Sequence, residues 1–151
     1  MTYILLLTGS RELPVTITEG LFEVGRELTR IARGLGITPS DRVIVYHGGC
    51  PHRREGASVD MLGARWADVC GFEVRERKAD WVNFPHDAGT RRNSHMVAEV
   101  VEKARMWGAY AVCIGIPIDS STGSPDCMSK ARGAGLEVVE VRRWLKQGGL
   151  F

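Results

Sequence analysis

Residues 3–7, Tyr-Ile-Leu-Leu-Leu, form a continuous apolar run only five residues long. Such a run is typical of a strand buried on both faces, as in parallel sheets covered by helices. Similar runs recur at 42–46, 110–114 and 136–141, and a weaker, more charged run at 72–77 is expected nearer an edge. The sequence therefore predicts an α/β fold, a Rossmann-like doubly wound parallel sheet of about five strands with helices on both faces.

Helical patterns separate these runs. Thr16 and Glu19 have the spacing of a capping box at the start of the first helix. Ser124 as N-cap, with Pro125 at the first helical position, predicts the start of the last one. Because no repeat, low-complexity segment or linker interrupts the pattern, residues 1–151 are predicted to form a single domain.

Composition excludes some functional classes. Hydrophobic and charged fractions of 44% and 25% are ordinary for a globular protein, and a net charge of +2 is too small to indicate nucleic acid by itself. No segment approaches the roughly 18 apolar residues that span a bilayer, and the first residues lack the basic region of a signal peptide. We therefore expect a cytoplasmic protein that has no membrane partner.

The four cysteines, Cys50, Cys70, Cys113 and Cys127, contain no C-x-x-C pair. Cys70 and Cys113 lie in apolar surroundings, which predicts buried and reduced thiols. Cys50 with His52 and the nearby His47 could form a metal set or a reactive thiolate, but neither a fourth ligand nor an orienting acid is evident. We therefore expect no metal and no cofactor.

A polar loop leads into Arg91, Arg92 and Asn93, after which an apolar pattern of helical period begins. These three residues are predicted in the first turn of a long helix, where unpaired N–H groups and the helix dipole favour an anion. Two arginines there destabilise the helix unless a negative group such as a phosphate binds. The alternative is that both arginines are solvated or paired with Asp87 and Glu99.

In parallel sheets, ligands bind beyond the carboxyl ends of the strands. Four of the five predicted strands are followed there by small, hydroxyl or charged residues, which favour a nucleotide-like ligand. These residues are Thr8, Gly9, Ser10 and Arg11, then Gly48 and Gly49, then Asp80 and Trp81, and finally Ser120, Ser121, Thr122 and Gly123. The absence of G-x-G-x-x-G, G-x-x-x-x-G-K-[ST] and G-x-S-x-G disfavours dinucleotide oxidoreductases, P-loop NTPases and α/β-hydrolases.

Several of these loops also carry a family resemblance. The segments are Thr8–Arg11, His47–Cys50 with Gly56, Ala57 and Asp60, Trp66–Ala67, Ala79–Trp81, Ala88–Gly89, Arg92–Asn93 with Met96, and Thr122–Gly123 before Asp126. In this order, from about residue 3 to residue 141, the chain resembles the SLOG superfamily, the DprA/LOG-like Rossmann group. Within it, the chain looks like the small single-domain YspA-type branch.

The resemblance implies a Rossmann-like domain that binds a nucleotide or a nucleotide-derived small molecule. It implies that Gly9, Ser10 and Arg11 line the phosphate or sugar of the ligand, and that Gly48 and Gly49 allow the backbone to approach the ligand closely. Asp60 would hold a ribose hydroxyl or a loop backbone, and Arg92 with Asn93 would hold an anion. Thr122 and Gly123 would complete the pocket. The chain departs from the pattern between Gly49 and Gly56, where Arg53 and Arg54 could supply phosphate charges or belong to a solvated loop.

The superfamily includes nucleotide phosphoribohydrolases with the motif P-G-G-x-G-T-x-x-E. Residues 120–127 here read Ser-Ser-Thr-Gly-Ser-Pro-Asp-Cys, which lacks Pro-Gly-Gly and places Asp126 one residue early. An acid near a helix start also stabilises the helix by itself, which weakens a catalytic interpretation. If the chain is an enzyme, a nucleotide N-glycosidase is expected, and Asp60, Asp80 and Asp126 are the candidate catalytic residues.

We expect a binding module, a sensor or sequestering protein, before an enzyme. Trp81 could stack on a base or cover the end of the sheet, and His86 and His95 are expected at the surface. Binding of single-stranded nucleic acid is a third and less favoured function. The basic pairs Arg53-Arg54 and Arg91-Arg92 allow it, but aromatic stacking platforms are few. A homo-oligomer is expected because homo-oligomers dominate among soluble assemblies, with the apolar tail at Trp144, Leu145 and Phe151 as a candidate contact.

Overall fold

Strands and helices alternate in a computed structural model of the protein, which describes residues 1–53 and 56–146. Arg54 and Phe151, named in the sequence predictions, lie outside the described residues. In chain order the elements are β1 (Thr2–Gly9), α1 (Ile17–Gly34), β2 (Arg42–His47), α2 (Val59–Val69), β3 (Glu73–Glu76), α3 (Ala88–Trp107), β4 (Tyr110–Ile116), α4 (Gly123–Gly133) and β5 (Glu137–Glu140).

The strands form one parallel sheet in the order β3-β2-β1-β4-β5. This order confirms the predicted Rossmann-like α/β fold, and β3 is an edge strand as its charged sequence predicted. The chain builds outward from β1 to β3, then returns to the other side of β1 to add β4. The switch point of strand order therefore lies between β1 and β4, where ligands of such sheets bind.

The apolar run in β1 supplies both faces of the sheet. Leu5 and Leu7 pack in a core with residues of α1 and α2, such as Leu28 and Leu62. Leu6, on the opposite face, packs in a second core with residues of α3 and α4. Alternate side chains of one strand point to opposite faces, so a continuous apolar run is needed to fill both cores.

The start of α1 agrees with the prediction. The Thr16 side chain accepts a hydrogen bond from the Glu19 N–H, and the Glu19 carboxylate accepts one from the Thr16 N–H. The capping box is confirmed. It satisfies two amide groups that the helix itself leaves unpaired.

Helix α3 begins three residues earlier than predicted. Its first residue is Ala88, whose N–H donates to the Phe84 carbonyl, and the Arg91 N–H already donates to the Asp87 carbonyl. The turn that begins at Phe84 therefore brings the chain into helical geometry before it reaches the two arginines. Arg91 is the fourth residue of α3, at the end of the first turn, as predicted. Arg92 and Asn93 begin the second turn, and their predicted place in the first turn was wrong.

Helix α4 also begins early. It starts at Gly123, so the predicted N-cap Ser124 and the predicted first residue Pro125 lie inside the helix. The Ser121 hydroxyl accepts a hydrogen bond from the Ile118 N–H, which closes a turn directly after β4. This turn brings the chain to helical geometry before Ser124, and the predicted cap was wrong.

One cysteine was predicted wrongly. Cys113 on β4 is buried, but Cys70 follows the last residue of α2 and is exposed. Cys50 is half-buried, Cys127 is buried, and all four cysteines are free thiols. In the tail, Trp144 packs against the core of its own chain.

Across residues 1–53 and 56–146, no helix is both long enough and apolar enough to cross a membrane.

Replacing Thr16 with Ala removes the capping box, so the free energy of unfolding is expected to fall by about 1 kcal/mol. Urea unfolding followed by circular dichroism measures the change. Thr18→Ala, at an exposed site that is the second residue of the same helix, is the matched control. An equal loss in both variants would contradict the assigned cap.

Candidate functional site

A cleft of about 240 Å³ opens beyond the carboxyl ends of β1 and β4, at the switch point of the sheet. Five segments of the chain contribute to its wall. They are Leu7–Glu12 at the end of β1 and in the loop after it, the loop residues Gly48, Cys50 and Arg53 after β2, Asp60 on α2, Arg92, Asn93 and Met96 on α3, and Ile118 with Ser120–Ser124 in the loop after β4 and the start of α4.

Most residues predicted to bind a ligand line this cleft. They are Thr8, Gly9, Ser10, Arg11, Gly48, Asp60, Arg92, Asn93, Ser121, Thr122 and Gly123. Gly49, Trp81 and Arg91 are not part of its wall. Of the three candidate catalytic carboxylates, Asp60 lines the cleft and Asp80 and Asp126 do not. The edge of the sheet therefore gathers the residues that directly follow β1, β2 and β4.

Arg92 is held in the cleft by neutral groups. Its Nε donates to Asn93 Oδ1 at 2.9 Å, and its Nη1 donates to the carbonyl oxygens of Gly48 at 2.8 Å and Arg77 at 3.4 Å. No carboxylate forms a salt bridge with Arg92 in the described part of the chain. A half-buried guanidinium without a counter-charge is well suited to bind an anion.

Gly48 makes room for that guanidinium. A Cβ atom at Gly48 would lie 2.1 Å from Arg92 Nη1, far inside van der Waals contact. The group that approaches the Gly48 backbone closely is therefore the Arg92 side chain of the protein itself. Gly49 has a φ of +68°, and its N–H donates to His47 Nδ1, so this glycine shapes the turn after β2.

The start of α4 forms the opposite wall. Gly123 and Ser124 are its first two residues, and their N–H groups carry the positive end of the helix dipole. The Ser124 side chain is 3% exposed, and its hydroxyl is the only buried side-chain polar atom without a hydrogen-bond partner within the described residues. An unpaired buried hydroxyl is costly, which favours an acceptor bound beside it.

The loop after β1 is drawn tightly over α2. A Cβ atom at Gly9 would lie 2.5 Å from the Val59 side chain, so no larger residue fits without displacing the helix. The Ser10 N–H donates to the Ile116 carbonyl, and its hydroxyl accepts from the Glu12 N–H. This loop therefore places Arg11 and Glu12 at the cleft, and Glu12 is a lining carboxylate that the sequence analysis missed.

Asp60 is the buried carboxylate of the cleft. It is 5% exposed and lies in the first turn of α2, where the helix dipole favours its negative charge. Its Oδ2 accepts the Cys50 N–H at 3.1 Å. The carboxylate thus ties down the loop after β2 and also faces the cleft, where it can accept a hydroxyl hydrogen.

The two titratable neighbours of Asp60 are neutral. Burial raises the pKa of the Cys50 thiol, and the Asp60 charge raises it further, so the reactive-thiolate alternative is not supported. Burial lowers the pKa of His47. Because His47 Nδ1 accepts the Gly49 N–H, its proton is on Nε2.

The predicted site residues off the cleft are held by other partners. Arg91 pairs with Asp87, and its guanidinium lies over the Phe84 ring at 4.2 Å. Pairing with Asp87 was the predicted alternative to an anion-binding role for this arginine. Asp80 is exposed and accepts two hydrogen bonds from Asn83. Trp81 is 49% exposed and lies beside Gly89.

The other residues considered in the sequence predictions make structural contacts, lie at the surface or line the cleft. Glu99 pairs with Arg77 and not with either arginine of the α3 segment. His52 Nδ1 accepts the Ser58 N–H, and no cluster of three potential metal ligands occurs within residues 1–53 and 56–146. His86 and His95 are exposed, as predicted. Arg53 lines the cleft, which favours its role as a cleft residue over a purely solvated one.

Ser124 is a further polar lining residue that the sequence analysis missed. The predicted N-cap role already accounted for a serine at the start of a helix, so nothing in the sequence was a reason to place its hydroxyl in the cleft. The signal that could have located it is the length of the apolar run of β4, which continues to Ile116 and moves the following turn and helix start.

Comparison with known proteins places the chain in a family. It is 32% identical over 141 residues to the Gene 61 protein of Mycobacterium phage D29, a match that covers 89% of this chain and 92% of that protein. The chain belongs to the Gene 61 protein family. No protein-family model matches it.

Among solved structures, this Gene 61 family member is similar to a dodecameric FMN-dependent UbiX-like decarboxylase from Escherichia coli O157:H7. The sequence identity is 13% and the TM-score is 0.40, over 93% of this chain and 79% of that one.

Asp60→Asn is expected to speed the alkylation of Cys50. Removing the carboxylate charge lowers the pKa of the thiol, so a larger fraction is thiolate near neutral pH. Iodoacetamide labelling followed by peptide mass spectrometry measures the rate. Exposed Cys70 serves as the internal control, and an unchanged Cys50 rate would show that burial alone raises its pKa.

His47 is expected to make the protein less stable below pH 6.5. Its pKa in the folded chain lies below its ordinary value near 6.5, so the unfolded chain binds more protons as the pH falls. In His47→Gln, the free energy of unfolding should fall less between pH 7.5 and pH 5.5, in a window set by about 6.5 and the lower folded value. His95→Gln, at an exposed site, should keep the wild-type pH dependence.

Proposed function

We propose that the cleft binds a nucleotide or a nucleotide-derived small molecule through a phosphate group, and that the protein acts as a sensor or sequestering module. The observation that carries this proposal is the half-buried guanidinium of Arg92, which is held by three neutral acceptors and faces a cleft at the switch point. An anionic ligand would give this arginine charge-assisted hydrogen bonds, which are stronger than its bonds to neutral acceptors in the free protein.

The phosphate end of the proposed ligand lies between Arg92 and the start of α4. The N–H groups of Gly123 and Ser124 and the unpaired Ser124 hydroxyl supply donors, and Arg92 supplies the charge. Arg11 and Arg53 line the same cleft and add positive potential around it. This combination of a helix N-terminus with an arginine suits a phosphate better than a neutral group.

The sugar end is proposed at Asp60. A carboxylate is an acceptor only, so it selects a ligand group that donates, such as a ribose hydroxyl. Asp60 is buried and fixed by the Cys50 N–H, which makes it a rigid acceptor in the cleft wall. An anionic end and a hydroxyl-bearing end in one cleft together favour a nucleotide over inorganic phosphate.

Membership in the SLOG superfamily belongs to the same proposal. The segments that carry the resemblance include the loops that line the cleft, namely those after β1, β2 and β4. The YspA-type branch, the cytoplasmic location and a homo-oligomer stay predictions.

The alternative function is a nucleotide N-glycosidase, and Asp60 is the residue that favours it. Asp126 is held by Asn93 and Lys130, and Asp80 lies off the cleft, so neither is free to assist loss of a base. If the protein is an enzyme, Asp60→Asn should abolish release of the base while Asp80→Asn leaves it unchanged. Retained turnover in Asp60→Asn would exclude this mechanism.

The proposed function is tested by a thermal-shift screen against nucleotides, cyclic nucleotides and ADP-ribose derivatives. A ligand at about a hundred times its dissociation constant should stabilise the protein by roughly 2.7 kcal/mol, or several degrees. The ligand-induced shift should be lost in Arg92→Ala and kept in Arg91→Ala, because Arg92 lines the cleft and Arg91 does not. These adjacent arginines are a matched pair, since both variants lose the same charge.

Chromatography of each mixture after the scan separates the two functions. Intact ligand supports a sensor or sequestering role, and released base supports the glycosidase. A shift of equal size in both arginine variants would mean that the ligand binds elsewhere, and no shift across the whole panel would remove the proposal.

A further inference from the structure

Asn93 is a buried amide between α3 and α4, and all of its donors are used within the protein. The side chain belongs to a residue that is 2% exposed. Nδ2 donates to the Gly123 carbonyl at 3.2 Å and to Asp126 Oδ2 at 3.0 Å, and Oδ1 accepts from Arg92 Nε at 2.9 Å. An amide has two donor hydrogens, so none is left for an anion.

On one side, Asn93 sets the plane of the Arg92 guanidinium. A guanidinium is planar and rigid, so two fixed nitrogens determine where the third points. Nε is fixed by Asn93 Oδ1, and Nη1 is fixed by the Gly48 carbonyl. Within residues 1–53 and 56–146, Nη2 donates to no protein acceptor, which leaves it for a ligand.

On the other side, Asn93 holds the first turn of α4. Gly123 is the first residue of that helix, and Asp126 lies one turn further on. Lys130 Nζ pairs with Asp126 at 2.9 Å and also donates to the Thr90 carbonyl on α3 at 2.7 Å. Asn93, Asp126 and Lys130 therefore form a connected network that joins α3 to the start of α4.

We infer that Asn93 is a positioning residue that aligns the two halves of the anion site, Arg92 and the α4 N-terminus, and does not contact the ligand. Asp126 and Lys130 support it in this role. This inference rests on the proposed function for its effect on binding, but the alignment of Arg92 is a property of the free protein. It replaces the expectation that Asn93 holds an anion together with Arg92.

The alignment is tested first without any ligand. In ¹⁵N-labelled protein, the Arg92 Nε–H should give a shifted signal in slow exchange with water, because Asn93 Oδ1 accepts it. Arg92→Ala assigns the signal. In Asn93→Ala the signal should move toward that of free arginine side chains and exchange rapidly. An unchanged Arg92 signal in Asn93→Ala would overturn the inference.

The effect on binding is tested by a double-mutant cycle with inorganic phosphate as the probe, at constant ionic strength. Arg92→Ala should weaken phosphate binding by about tenfold, the loss of one charge-assisted hydrogen bond. Asn93→Ala should weaken it by a similar factor, because a misaligned Arg92 no longer makes that bond. If Asn93 acts by aligning Arg92, its loss should weaken binding much less in the Arg92→Ala background than in the wild type, so the double variant should fall well short of the product of the two effects. Effects that multiply would show that Asn93 acts independently of Arg92 and would overturn the inference.

Lys130→Ala keeps the test valid if the buried Asn93→Ala variant does not fold. The Lys130 side chain is 30% exposed and lies outside the cleft wall. Its loss should weaken phosphate binding and shift the Arg92 Nε–H signal, since Asp126 loses its anchor. Arg91→Ala removes the same charge at a site outside the network and should change neither. Equal effects of the two variants would overturn the inference.

Failure of the inference and failure of the proposed function have different results. A wild-type protein that shows the slow Arg92 signal but binds no phosphate keeps the alignment and removes the anion site. A wild-type protein that binds phosphate, with an Asn93→Ala variant that binds it equally well, keeps the anion site and removes the positioning role.

Discussion

The structure depends on the burial of β1 on both faces and between two parallel neighbours. β1 pairs with β2 on one side and with β4 on the other, so its hydrogen-bonding groups are satisfied along both edges. Its side chains feed two separate cores. Because the chain must leave β1 toward one side and later return to the other, a gap opens beyond its carboxyl end. The cleft is this gap.

The cleft wall combines rigid backbone with a fixed arginine, Arg92, that forms no salt bridge within the described residues. Gly9 packs closely against Val59, and Gly48 packs closely against Arg92, so the backbone at the ends of β1 and β2 is held in place beside the cleft. Arg92 is held by carbonyl and amide oxygens, which orient a cation without neutralising it. Several other arginines pair with acids, as Arg91 does with Asp87 and Arg77 does with Glu99. Arg92 differs from these paired arginines because its hydrogen-bond partners are all neutral.

Local signals in the sequence were predictive where a short segment decides the outcome. The capping box of Thr16 and Glu19 involves residues three apart, and it forms as predicted. The apolar runs located β1, β2 and β4, since burial on two faces leaves a pattern within each of these strands. The runs at 136–141 and, more weakly, 72–77 located the edge strands β5 and β3. The loops after β1, β2 and β4 were placed at the cleft for a similar reason. A parallel sheet always brings the carboxyl ends of its strands to one edge.

Direction along a helix was harder to predict. Successive helical residues point about 100° apart, so the neighbouring Arg91 and Arg92 point in different directions. The sequence treats Arg91 and Arg92 alike, and only the packing of α3 against the sheet separates them. The same applies to Ser124, whose role changed when α4 started earlier than its apparent cap. Cys70 was expected to be buried because its surroundings are apolar, but it lies just past the end of α2 and is exposed.

The sequence by itself determined the class of fold, the approximate place of every strand and the edge of the sheet at which a ligand would bind. These follow from hydrophobic periodicity and from the geometry common to parallel sheets. Only the tertiary structure decided that Arg92 faces the cleft, that Asn93 is consumed in holding it, and that Asp60 is the predicted carboxylate that remains in the cleft. Those outcomes depend on contacts between residues far apart in the chain, such as Arg92 with Gly48 and Asn93 with Gly123, and no local pattern encodes such distances.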